Sequence, residues 1–85
     1  MARYSLQFRK SVAKDLRNLP KKDVRRILKR IESLAEDPRP RGCEKITGRE
    51  IYRVRQGHYR ILYEIRDDVL AVLVIKIGSR DGVYR

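Results

Sequence analysis

Acidic residues are the first scarcity of this 85-residue chain: eleven Asp and Glu stand against twenty-two Lys and Arg, leaving a formal charge of +11. A field of that sign attracts polyanions at long range, and nucleic acid is the default partner. Cysteine is nearly absent. Cys43 stands alone, which excludes an intramolecular disulfide and suits a reducing cytoplasm. The longest apolar run, Val69 to Ile75, is far below the ~20 residues that span a bilayer. The opening Met-Ala-Arg-Tyr-Ser-Leu holds no apolar stretch of the signal-peptide kind. A soluble cytoplasmic protein is expected. His58 is the only histidine, and no His/Cys/Asp cluster has ligand spacing, so neither metal nor other cofactor is expected.

What is present organises into one domain over 1–85. Tyr4 to Phe8 alternates polar and apolar as an edge-like strand does. From Ser11 the period changes: Val12, Leu16 and Leu19 fall on one helical face, and Pro20 stops that helix. A second helix is expected over about 21–36. Its apolar stripe is Val24, Ile27, Leu28, Ile31, Leu34 and Ala35, with Arg25, Arg26, Lys29 and Arg30 outside. Asp37-Pro38 ends it, because a residue before proline avoids the helical region. Residues 37–48 read as a loop rich in Pro, Gly and charge.

Three strands follow, at roughly 50–55, 59–65 and 69–77, joined by links short enough to make both pairs antiparallel. Gly48 and Gly57 read as turn glycines, and Asp67 and Asp68 as turn formers. The last strand is apolar on both faces, which suits the middle of a sheet. The order is β-α-α-β-β-β. The expected fold class is α+β: a small, twisted, mainly antiparallel four-stranded sheet with a two-helix hairpin on one face.

The stretch IYRVRQGHYRILYE, residues 51–64, carries the chemistry. Side chains on a strand alternate faces. Tyr59, Ile61, Tyr63 and Ile65 form an apolar set for the core, so Arg60, Leu62 and Glu64 point away. If Tyr52 and Val54 join that core face, Arg53 and Arg55 emerge beside Arg60 on an uncovered face. A register setting Arg55 near Arg60 places like charges one cross-strand step apart, which is destabilising. Solubility alone would be served by Lys, Glu, Thr or Gln with less repulsion, whereas a bound phosphate uses the planar guanidinium fork. Glu64 is expected to pair with a guanidinium. Cys43 has no base partner in view and reads as incidental. Tyr52, Tyr59 and Tyr63 read as core residues by face parity.

Four segments, YSLQFRKSVAKDLRNLP, EDPRP, KITGREIYRVRQGHYRILYEI and KIGSRDGVYR, together resemble the RelE toxins of the RelE/ParE superfamily over nearly the whole chain. The resemblance implies a ribosome-dependent endoribonuclease, an mRNA interferase that inhibits translation by cutting mRNA. A cognate, RelB-like antitoxin holds such a toxin inactive as a hetero-oligomer. It also implies catalytic roles for Arg53, Arg55, Arg60, Arg80 and the terminal Tyr84. Relatives often carry His or Lys where this chain has Ser79, and the chain stops at Arg85 without a further helix. Lys29, Arg26 and His58 are candidate RNA contacts, with His58 also a candidate proton carrier. Two other readings stay open: a ParE-like toxin acting on DNA gyrase without nuclease activity, and a non-enzymatic RNA-binding module.

Overall fold

The computed structural model of the chain describes residues 3–46 and 48–79. Its elements run β1 (Ser5–Phe8), α1 (Lys10–Arg17), α2 (Lys21–Glu36), β2 (Glu44–Lys45), β3 (Ile51–Gln56), β4 (Tyr59–Arg66) and β5 (Ala71–Ser79). The helix–helix break falls at Pro20, which precedes α2, and α2 ends at the extended Asp37 before Pro38. The expected helical hairpin is therefore present.

The sheet has five strands rather than four, in the order β1-β5-β4-β3-β2. The additional strand is β2, where Glu44 and Lys45 lie opposite Arg53 and Tyr52. Two residues are too few to show alternation, so a strand of this size inside a polar loop leaves no periodic signal. The β2–β3, β3–β4 and β4–β5 pairs are antiparallel, and β1 runs parallel to β5.

The last strand begins two residues later than the periodicity suggests. Val69 and Leu70 lie exposed in the β4–β5 turn, with Leu70 at φ 49°, a left-handed conformation that no strand residue adopts. Within β5, Leu62 pairs with Lys76 but Tyr63 pairs with Val74, leaving Ile75 as an inserted residue. The bulge inverts facing, so Val72 and Val74 before it and Ile77 after it all reach the core. Much of the strand's continuous apolar character thus comes from a register shift.

The core lies between the helices and one face of the sheet. Val12, Ile27, Ile31 and Leu34 meet Val54, Ile61, Tyr63, Val72 and Val74, all 1% exposed or less. Leu28 departs from the expected apolar stripe: it is 39% exposed and, with Phe8, lines a surface hollow beside α1. Arg30, expected outside, is half-buried. Beyond the end of β1, the Ile77 amide donates to Asp15 Oδ2 at 3.2 Å, so α1 covers that part of the β5 edge. No helix among the described residues is long and apolar enough to cross a membrane.

Candidate functional site

The face of the sheet away from the helices is set by alternation in β3 and β4. Tyr52, Val54, Tyr59, Ile61, Tyr63 and Ile65 are buried. Arg53, Arg55 and Arg60 therefore share the uncovered face. The hairpin register puts Arg55 directly opposite Arg60 and Arg53 opposite Leu62. Opposed residues hold their Cβ atoms about 4.5–5.5 Å apart, well within reach of two guanidiniums for one anion. On the other flank Arg60 faces Gly78, which contributes no side chain. The β3–β4 connection is the two-residue turn Gly57–His58 with Gly57 at φ 62°, a tight link that holds this register.

Strand β2 brings an acid to this face. Glu44 Oε1 accepts from Arg53 Nη2 at 2.8 Å. That hydrogen bond holds the Glu44 carboxyl below the usual carboxylate range, and the fields of Arg55 and Arg60 act in the same direction. Glu64 lies 3.5 Å from Arg66 on its own strand, so its expected guanidinium partner is a neighbour outside the arginine trio.

The other predicted residues fall elsewhere. Arg26 and Lys29 project from α2, on the covered side of the sheet, around hollows that also include Gln56. His58 sits at the hairpin tip with its ring centroid 4.3 Å from that of Tyr59. It lines a hollow of about 310 Å³ with Lys22 and Arg26. Ser79 lies opposite Tyr59, away from the arginine trio. Arg80 and Tyr84 lie outside the described residues. The structure therefore joins Arg53, Arg55 and Arg60 in one group, and Arg26, Lys29 and His58 around a second surface.

A polar network centred on Arg39 leaves no mark in the sequence pattern. Arg39 donates to Tyr52 Oη at 3.1 Å, to Glu50 Oε1 at 2.7 Å and to Asp67 Oδ2 at 2.8 Å. Tyr4 Oη donates to Asp67 Oδ1 at 2.6 Å, and Lys45 lies 2.9 Å from Glu50. Hydrogen bonds from Lys45, Arg39 and Tyr52 lower the Glu50 pKa to about 2. Arg39 and then Tyr4 lower that of Asp67. Nearby, the buried Tyr63 hydroxyl donates to the Pro38 carbonyl at 2.7 Å, and burial pushes its pKa well above the phenol range. Nothing local in DPRP or RDD signals that Arg39 and Asp67 meet.

Chemically, the open face can hold a phosphate and stabilise added charge on it. It offers no neutral-range proton carrier among the described residues, since guanidiniums stay charged and His58 lies at the tip. Among the described residues no group of three or more His, Cys, Asp or Glu could hold a metal ion.

This frame is one that known proteins share. The family described as ParE toxin of type II toxin-antitoxin system, parDE, matches residues 6–84. RelE1 of Methanocaldococcus jannaschii is 31% identical, over 98% of this chain and 97% of its own length. Toxin RelG of Mycobacterium tuberculosis is 28% identical over 96% and 97%. The archaeal RelE–RelB complex from Pyrococcus horikoshii contains a chain that superposes with a TM-score of 0.81 at 31% identity, covering 96% of this chain and 99% of that one. The isolated Escherichia coli RelE toxin gives 0.79 at 26% identity, with 95% and 90% covered. The chain belongs to the RelE/ParE family of toxins from toxin–antitoxin systems.

Proposed function

We propose that the chain is a metal-independent, ribosome-dependent endoribonuclease that inhibits translation in the cytoplasm by cutting mRNA. The observation that carries this reading is the direct cross-strand opposition of Arg55 and Arg60 on a sheet face without helices, with Arg53 beside them. Like charges so placed weaken a hairpin, and a bound phosphate turns that repulsion into two-sided attraction. In the reaction the 2′-oxygen of the RNA loses its proton and attacks the adjacent phosphorus. The bond to the 5′-oxygen breaks, and that oxygen takes a proton, leaving a 2′,3′-cyclic phosphate and a 5′-hydroxyl. Arg53, Arg55 and Arg60 stabilise the charge on the phosphorane.

Arg80 and Tyr84 complete the proposed site. Arg80 supplies a further guanidinium. Tyr84 is assigned as the base: guanidiniums close to its phenol, near pKa 10 when isolated, would favour phenolate. A site with so few proton carriers depends on the ribosome for substrate geometry. The partner is an antitoxin, a reading supported by the RelE–RelB complexes among the structural relatives. An acidic amphipathic segment suits this cationic surface, with salt slowing association more than weakening final affinity.

The test is cleavage of mRNA on programmed ribosomes. Arg60→Ala and Arg80→Ala should each reduce cleavage by roughly 10²–10³, the usual effect of removing one preorganised donor, with the fold intact. Tyr84→Phe should be impaired nearly as much as Tyr84→Ala if the hydroxyl is the base. Full toxicity of both arginine variants would overturn the reading. Gyrase inhibition without RNA cleavage would assign the chain to the ParE-like activity instead.

A further inference from the structure

We propose that the groove between α2 and the tip of the β3–β4 hairpin is a second RNA-binding tract. It takes the sugar–phosphate backbone of the strand whose scissile phosphate sits on the open face. This inference rests on the nuclease reading above and extends it to a surface on the other side of the sheet.

Two adjoining hollows, of about 310 and 290 Å³, form the groove and share Arg26 and Gln56. Lys22, Arg26, Lys29 and Arg30 line it from α2, and Gln56 and His58 line it from the hairpin. The helix residues fall at i, i+4, i+7 and i+8, which is one stripe of a 3.6-residue period. Like charges four residues apart destabilise a helix. Here none of the four cations has an ion-pair partner among the described residues. Elsewhere Arg39, Lys45, Arg53 and Arg66 each lie 2.7–3.5 Å from a carboxylate.

One detail favours an external anion. The one acid in the groove, Asp23, already accepts the Tyr59 hydroxyl through Oδ2 at 2.6 Å, which ties the helix to the hairpin.

The groove lies across the hairpin tip from the arginine face. In the hairpin register the pair after Arg55–Arg60 is Gln56–Tyr59, one residue further on and pointing to the other side of the sheet. One residue along a strand is about 3.3 Å. A polynucleotide rounding the narrow Gly57–His58 turn leaves the arginines on one face and meets the groove on the other.

The lining also separates RNA from an acidic protein segment. A peptide helix needs apolar anchors, and those lie in a different groove, between α1 and α2, where Ala13, Leu16, Leu19 and Val24 line the surface. The proposed tract offers point charges, guanidinium forks, an amide and an imidazole ring. This is a backbone-reading set, tolerant of sequence.

The experiment measures binding of uncleavable 2′-O-methyl RNA by fluorescence anisotropy, with single strands of about 12 and about three nucleotides, a range that brackets one tract. Lys22→Ala/Arg26→Ala is compared with Arg17→Ala/Arg25→Ala, which removes the same charge from the α1–α2 groove. The first variant should bind the longer strand on the order of 10-fold more weakly. Its salt slope should be shallower by about 1.4, from two lost contacts at ~0.7 each. Its affinity for the short strand should be unchanged, and the control should lose less than about 2-fold for either strand. Equal losses in the two variants, or no loss in either, would overturn the tract. So would a loss of binding to an acidic peptide with RNA binding intact. These outcomes leave the nuclease reading standing, because that reading is decided separately by ribosomal cleavage in Arg60→Ala.

Discussion

At the end of the sheet where β4 turns into β5, Arg39 is held by Tyr52, Glu50 and Asp67, with Tyr4 and Lys45 closing the set. At the other end, Arg55 faces Arg60, and Arg53 engages Glu44. Both ends are rich in charge. In the first, opposite charges satisfy one another and tie the loop after α2, the turn at 67–70 and the start of β3 into one unit. In the second, like charges are pressed together by a register that the core imposes. Charge that is internally matched stabilises a fold. Charge that is gathered with its own kind stores repulsion that a ligand of opposite sign can relieve.

The two ends should therefore respond oppositely to substitution. The largest effect is expected at the tip, where Arg55→Thr should lower ribosomal cleavage by roughly 10²–10³. Its Tm should stay the same or rise, because a like-charge cross-strand pair has been removed. A Tm that falls with the activity would erase the distinction between the ends.

Next in size is Tyr63→Phe, near the matched end. It strands the Pro38 carbonyl inside the fold and should destabilise by about 1–3 kcal/mol in thermal or urea unfolding. Cleavage per folded molecule should be unchanged. Arg39→Ala comes third, with a Tm lowered by about 4–8 °C, which is what ~1 kcal/mol does to a domain of this size. It too should leave cleavage per folded molecule intact, and a large loss would mean that the network positions the site.

The smallest effect is the acid dependence of that network. Glu50 and Asp67 have pKa values lower in the folded chain than in the unfolded one, Glu50 at about 2. Such groups contribute stability that is present above their unfolded values, about 4, and is lost as pH falls through the folded ones. Wild-type Tm should decline from about pH 4 toward pH 2, and Arg39→Ala should flatten that decline. An equally steep decline in the variant would assign it to other carboxylates.

Much of this architecture is legible in short stretches of the chain. The helix boundaries at Pro20 and Asp37, the hairpin around Gly57 and the common face of Arg53, Arg55 and Arg60 follow from local rules. Strand alternation and proline geometry depend only on neighbouring residues, and a polar loop breaks them visibly. The same rules fail where length or spacing runs out. Two residues of β2 carry no period, so nothing in the sequence sets Glu44 beside Arg53. Leu28 matches the helical stripe, yet it stays exposed. Lys22 and Arg30 have the pattern of solvated helix charge, because only the docked hairpin turns that stripe into one wall of a groove.

By itself the sequence determined the order of elements, the α+β class and which hairpin residues share a side, since each is a property of a short stretch of chain. Tertiary structure decided the rest. It chose the register that sets Arg55 against Arg60, placed the bulge at Ile75 that returns Ile77 to the core, and brought Arg39 to Asp67 across 28 residues. Those outcomes depend on which distant partner best completes one shared core, a competition that is settled only when all the elements pack at once.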